Sequence, residues 1–169
     1  SMKKKVEPET LEEHIVSGGA LMYVRVWHVA RVRLRVTGAH DIRPADWGVS
    51  GVLGGRADPY CKVKYQGKQV AKTKVCNSTL DPCWNAVFEF TVPTHAPTEG
   101  EAADLLIEVF DHDLVGSDDF LGCAVIPHEH LLRPHPGDVY ELGPAFNAKV
   151  NGPVASGFLD VQVETSYIP

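Results

Sequence analysis

The segment EVFDHDLVGSDDFLG, residues 108–122, carries four aspartates within nine positions: Asp111, Asp113, Asp118 and Asp119. Apolar residues flank them on both sides, so the charge falls at a turn between two segments suited to burial. Asp111 and Asp113 are two apart, and in an extended chain such side chains point the same way. Asp119 returns just before Phe120, where the next apolar run opens, so a loop closed here brings three carboxylates toward one place. Two carboxylates about 4 Å apart repel by roughly 4 kcal/mol at an effective dielectric of about 20. Such a group requires a cation or partial protonation. Hard oxygen donors suit calcium best, whereas magnesium demands a strict octahedron and keeps its waters.

An EF-hand does not account for the segment. DHDLVGSDDFLG has acids at its first and third positions and glycine at its sixth, but Val115 and Gly122 stand where further oxygen ligands are needed. Its flanks also read as strands. A solvated acidic turn that binds nothing is the competing reading.

The elements that position this turn are strands. Residues 20–36, ALMYVRVWHVARVRLRV, alternate apolar and polar through Val24, Val26, Val32, Leu34 and Val36. Period two predicts a strand, here long enough for two, or for one bent near Ala30. Further strands are predicted at Tyr60–Tyr65, Gln69–Val75, Ala86–Val92, Leu105–Phe110, Gly122–Ile126, Val139–Leu142 and Phe158–Glu164. Turn formers separate them, among them Gln66-Gly67, Asp81-Pro82, residues 93–100 and residues 134–137. Helical periodicity is nearly absent. The exceptions are a turn at His128–Leu132 and the N-terminal segment, where Thr10 and Glu13 have the spacing of a capping box. Short strands with loops between them predict an all-β, eight-stranded antiparallel β-sandwich. Residues 1–19 read as a linker or tail and residues 20–169 as the domain.

The chain has 169 residues, 44% hydrophobic, enough for one domain with a real core. Its formal net charge of −6 argues against nucleic acid as a partner. The charge is uneven: Lys62, Lys64, Lys68, Lys72 and Lys74 cluster in YCKVKYQGKQVAKTKV with no acid among them. Cys61, Cys76, Cys83 and Cys123 form no CxxC pair and read as buried, reduced thiols of a cytosolic protein. No apolar run is long enough for a transmembrane helix or signal peptide. Ser1-Met2 reads as a cloning remnant, which makes the segment part of a larger protein.

The segment AHDIRPADWGVSGVLGGRADPYCKV, residues 39–63, brings a family into view. With Ala57-Asp58-Pro59-Tyr60, Lys72-Thr73-Lys74, Leu80-Asp81-Pro82-Cys83-Trp84-Asn85 before Phe88-Glu89-Phe90, and Val109-Phe110-Asp111-His112-Asp113 through Asp119-Phe120-Leu121-Gly122, the chain resembles a C2 domain. That family is the calcium-dependent lipid-binding β-sandwich, and the resemblance covers residues 30–165 or so. It implies a Greek-key sandwich of the second C2 topology, with RVRLRV as first strand and GFLDVQVETS as last. If MYVRV forms its own strand, the first and last strands change.

The resemblance also implies a calcium site. Asp46 and Asp58 map to the first loop, Asp111, Asp113 and Asp119 to the third, and backbone carbonyls near Trp47, His112 and Ser117 complete the shells. Five carboxylates and carbonyls suffice for two ions, leaving one net negative charge. The first loop is longer than in typical members, with Asp46 and Asp58 twelve apart. Its DWGVSGVLGGRADPY is similar to the first C2 domain of the extended synaptotagmin and tricalbin group, which tethers the endoplasmic reticulum to the plasma membrane.

Two routes to a membrane follow. Calcium reverses the negative field of the loops and exposes coordination positions to lipid phosphate. Apolar loop residues insert: Trp47, Val49, Val52 and Leu53 in the first loop, Leu114 and Val115 in the third, at about 1.5–3 kcal/mol for each buried side chain. The alternative for Val52 and Leu53 is that they pack the loop onto itself. Lys62 with Lys64, and Lys72 with Lys74, map to the family's concave basic patch, which contacts anionic lipid, often phosphoinositide, at about 1 kcal/mol per lysine. The alternative is a solvated lysine face.

Other constellations carry little. His128-Glu129-His130 is not HExxH and reads as a surface pair. Trp84, Phe88 and Phe90 read as core. No nucleophile motif or phosphate loop is present, so catalysis is not expected. The expected function is a calcium-dependent module that docks its parent protein on anionic phospholipid membranes bearing phosphatidylserine or phosphoinositides. The rival is a calcium-insensitive domain that binds a protein partner or phosphoinositide through the basic sheet.

Overall fold

The computed structural model describes residues 10–15, 21–26, 28–43, 55–94, 104–144 and 155–168. Among these residues ten strands and one short helix follow in order: β1 (Thr10–Ile15), β2 (Leu21–Val26), β3 (Val29–His40), β4 (Pro59–Tyr65), β5 (Lys68–Lys72), β6 (Cys83–Pro93), β7 (Leu105–Asp111), β8 (Asp119–Ile126), α1 (His128–Leu131), β9 (His135–Glu141) and β10 (Phe158–Ile168). Two four-stranded sheets, ordered β6-β3-β10-β9 and β5-β4-β7-β8, form the expected eight-stranded antiparallel sandwich.

Alternation explains which residues meet between the sheets. Ala30, Val32, Leu34 and Val36 of β3 are fully buried, as are Leu105, Ile107 and Val109 of β7. Leu159, Val161 and Val163 of β10 join Cys61 and Val63 of β4 in the same core. Each such aliphatic side chain contributes about 1.5–3 kcal/mol on leaving water. Trp84, Phe88 and Phe90 depart from expectation: they are only partly buried and pack against this core from outside it. Their strand β6 lies at a sheet edge, so one flank stays open to solvent. The thiols divide likewise. All four lie outside any disulfide, but Cys83, on β6, is exposed and Cys76 half-buried, whereas Cys61 and Cys123 are buried.

Two further expectations change. The segment around Thr10 and Glu13 is strand β1, not a capped helix, with Thr10 opposite Val26 and Glu13 opposite Tyr23. Helix propensity and capping are weak local preferences, and pairing with the alternating segment β2 overrides them. The boundary placed at residues 19–20 falls between these two paired strands. Strand β5 also stops early, at Lys72. Just beyond it, Thr73 Oγ1 accepts the Cys61 amide at 2.8 Å while the Thr73 amide donates to the Cys61 carbonyl at 3.0 Å. A side chain thus takes a ladder position there. The turn at Gln66-Gly67 is as expected, with φ of 50° and 71°, the pair of positive values that a two-residue hairpin requires.

Near its C-terminal end β3 is irregular against both neighbours. Against β10 it carries one extra residue, Thr37, between Gly38 opposite Asp160 and Val36 opposite Val161. Against β6 the extra residue is on β6, where Trp84 and Asn85 stand against Thr37 between the pairs Gly38–Cys83 and Val36–Ala86. This bulge steers the chain into the first loop, and Ala39 then donates to the Pro82 carbonyl at 3.0 Å. The turn is close: a Cβ on Gly38 would lie 2.6 Å from the Pro82 carbonyl oxygen, a backbone atom unable to move aside. Gly38→Ala is therefore expected to destabilise the domain by about 1–3 kcal/mol, measured by denaturant unfolding. An unchanged midpoint would show that the loop yields.

Candidate functional site

Three of the five expected aspartates gather at one end of the sandwich, Asp111 at the end of β7, Asp119 at the start of β8 and Asp58 just before β4. Ile107 and Val109 point into the core, so Asp111, two residues on, keeps the same side and is only 8% exposed. Cross-strand register sets Asp111 opposite Asp119 on β8 and opposite Pro59 on β4, the residue after Asp58. The amide of Asp58 donates to Asp111 Oδ1 at 2.6 Å, and the amide of Ser78 donates to Asp58 Oδ1 at 2.6 Å. The His112 amide donates to the Asp58 carbonyl at 3.1 Å. Backbone donors thus aim two carboxylates and tie Asp58, at the end of the first loop, to Ser78 in the middle of the second (73–82) and to His112 at the start of the third (112–118). Orienting hydrogen bonds of this kind fix ligand geometry at metal sites.

Asp113 and Ser117 are exposed on the third loop and His112 is half-buried at its start. Among the described residues, the donor atoms that all approach within 4.8 Å of one another belong to His130, His135 and Asp138; the loop aspartates form no such closed trio. Repulsion between carboxylates explains why they stand as a set at strand ends and not as a tight cage. The donors are oxygens only, two of them pre-aimed, which suits calcium with its shell of about six to eight oxygens. Asp46, Trp47, Val49, Val52 and Leu53 lie outside the described residues.

Asp118 has a role that sequence reasoning missed. It accepts hydrogen bonds from the Tyr60 hydroxyl, from the Asp113 amide at 3.2 Å and from His112 Nδ1 at 3.2 Å. It is the internal tie of the third loop and anchors that loop to β4. Its pKa is held down to about 2, chiefly by the Tyr60 hydroxyl, then by the Asp113 amide and His112. Burial, then the hydrogen bond and charge of Asp118, push the Tyr60 phenol upward. A carboxylate whose pKa is depressed on folding adds stability above its unfolded value, 3.8, and loses it as pH falls toward 2. Tyr60→Phe removes the main donor. It is expected to lower stability at pH 5 and to shrink the further loss between pH 5 and pH 2, read from urea melts at both. An acid limb equal to that of wild type would remove Asp118 from this account.

At the tip of the same loop, Leu114 and Val115 are 94% and 93% exposed. They do not pack onto the domain.

The lysines are organised by rings. Lys62 of β4 opposes Lys72 of β5. Lys62 Nζ lies 3.9 Å from the Phe110 ring centroid and Lys72 Nζ 4.0 Å from that of Tyr60. Those two rings stack with centroids 5.8 Å apart. Like charges directly opposite in a sheet repel, and the ring faces offset part of that cost. Lys64 differs from expectation: its Nζ pairs with Glu108 of β7 at 2.7 Å, an acid outside the lysine-rich segment. Lys74 lies past the end of β5 and is exposed, with Thr73 buried between it and Lys72.

A family profile described as the C2 domain matches residues 30–142. Ras GTPase-activating protein 4B of Homo sapiens is 33% identical over 119 residues, covering 69% of this chain and 13% of that protein. Extended synaptotagmin-1 of Mus musculus is 43% identical over 91 residues, covering 54% of this chain and 8% of that protein. The chain therefore spans a small part of these relatives. Among solved structures, a pair of C2 domains from Extended-Synaptotagmin 2 in a calcium-bound form is 28% identical, with a TM-score of 0.60 over 80% of this chain and 45% of that one. A second structure of the same two domains is 26% identical, with a TM-score of 0.61 over 96% of this chain and 49% of that one. No helix among the described residues is long and apolar enough to cross a membrane. The profile match runs from the buried start of β3 to Leu142 just after β9, and with it the chain belongs to the C2 domain family, related to the C2 domains of the extended synaptotagmins.

Proposed function

We propose that this domain is a non-catalytic, calcium-regulated membrane-docking module that inserts its loop end into anionic phospholipid. The observation that carries this reading is the pairing of two nearly fully exposed apolar side chains, Leu114 and Val115, with the aspartates of the same loop. Apolar groups presented that way gain only on reaching a nonaqueous phase, and acids beside them oppose approach to an anionic surface until they are neutralised. Asp46, Asp58, Asp111, Asp113 and Asp119 would hold calcium, about two ions, with carbonyls at Trp47, His112 and Ser117. Bound there, calcium supplies positive charge and coordination positions open to a lipid phosphate. Trp47, Val52 and Leu53 would insert with the third loop. A related pair of domains solved in a calcium-bound form supports the choice of ion.

Lys62 and Lys72, with Lys74 nearby, form the second contact, where a phosphate group relieves the repulsion between opposed lysines. Lys64 contributes less because Glu108 already neutralises it. In the parent protein the module would serve at a membrane contact site such as that between endoplasmic reticulum and plasma membrane. Co-sedimentation with phosphatidylserine liposomes, with and without phosphatidylinositol bisphosphate, in calcium and in chelator tests the reading. Binding in calcium alone is expected. Equal binding in chelator would overturn it and make the basic sheet, in the calcium-insensitive reading, the site of recognition.

A further inference from the structure

We propose that His130, His135 and Asp138 form a binding site for a divalent transition-metal ion of the zinc class, pinning α1 to β9. The three side chains come from two elements: His130 from the single helical turn, His135 and Asp138 from the first residues of β9. Their donor atoms all lie within 4.8 Å of one another. His135 Nδ1 is 3.3 Å from Asp138 Oδ2, and the His130 and His135 ring centroids are 5.4 Å apart.

Those spacings suit one tetrahedral ion. Two ligand atoms each about 2.0 Å from such an ion lie about 3.3 Å apart, and two coordinated imidazole rings have centroids about 5.2 Å apart. Two imidazoles and one carboxylate are the donor class of zinc and its neighbours, with a fourth position left for water or another ligand. Calcium, which takes oxygen, has no reason to prefer the site. All three residues are half-buried, reachable from solvent yet partly shielded. Tyr140 borders them: its hydroxyl lies 3.1 Å from His130 Nδ1 and donates to Asp138 Oδ2 at 3.5 Å.

The site is remote from the loop aspartates. Strand β8 starts at Asp119 and ends at Ile126, just before α1, and eight residues of strand span about 25 Å. Metal at this end therefore acts independently of the docking loops, as a staple on the link between β8 and β9.

The test uses the whole 169-residue chain and the metal alone. Calorimetric titration with zinc chloride is expected to show one site that weakens at least tenfold in His130→Ala, in His135→Ala and in the milder Asp138→Asn. Asp111→Asn with Asp113→Asn should bind zinc as wild type does. Cobalt should give the visible bands of a tetrahedral site without thiolate charge transfer. Three results would overturn the proposal: no zinc binding by wild type, undiminished binding in the folded histidine or Asp138 variants, or thiolate bands that place the metal on cysteine. If a histidine variant does not fold, Asp138→Asn decides.

Discussion

Asp111→Asn with Asp113→Asn is expected to abolish calcium-dependent sedimentation with phosphatidylserine liposomes. The substitution removes two of five proposed carboxylate ligands while preserving shape. Ligand charge count is a main control on calcium affinity, so a loss of about 100-fold or more in calcium binding is expected. The fold should survive. Asp111 Oδ1 accepts the Asp58 amide, and an asparagine oxygen accepts the same bond. Relief of repulsion among the loop acids should leave the thermal midpoint in chelator unchanged or raised. A variant that still sediments in calcium like wild type would remove the third loop from the switch. One that loses binding but also melts early would have lost structure instead, so both measurements belong together.

Leu114→Ser with Val115→Ser should cut membrane affinity in calcium by about 100-fold or more, from about 1.5–3 kcal/mol lost per inserted side chain. Here the structure separates function from stability. At 94% and 93% exposure these residues contribute almost nothing to the core, so urea melts should coincide with wild type. Calcium affinity without lipid should also be unchanged, because neither side chain carries an oxygen donor. Undiminished binding to liposomes would show that the loop tip stays in water and that docking is electrostatic alone.

Strands were readable where burial imposes a local pattern. Val32, Leu34 and Val36 alternate because successive side chains of β3 face opposite sides of a sheet and one side is core. A short apolar run placed β7, and only its alternating burial in the structure shows on which side Asp111 emerges. The acids of the third loop were visible because like charges at close spacing demand an explanation at any tertiary arrangement.

What depends on register was not visible. Thr10 and Glu13 have a helix-capping spacing, and only the presence of β2 opposite them makes that segment a strand. Lys64 meets Glu108 because β4 pairs with β7, however far apart the two lie along the chain. Asp118 looked equivalent to its neighbours, yet Tyr60, distant along the chain, singles it out as the tie of the loop. His130, His135 and Asp138 looked like unrelated polar residues until the turn after α1 folded one onto the others. Local sequence determined which segments are strands and where charge collects, since periodicity and Coulomb repulsion act within a few residues. Tertiary structure alone decided which side chains touch, because cross-strand partners are chosen by a pairing that no single segment contains.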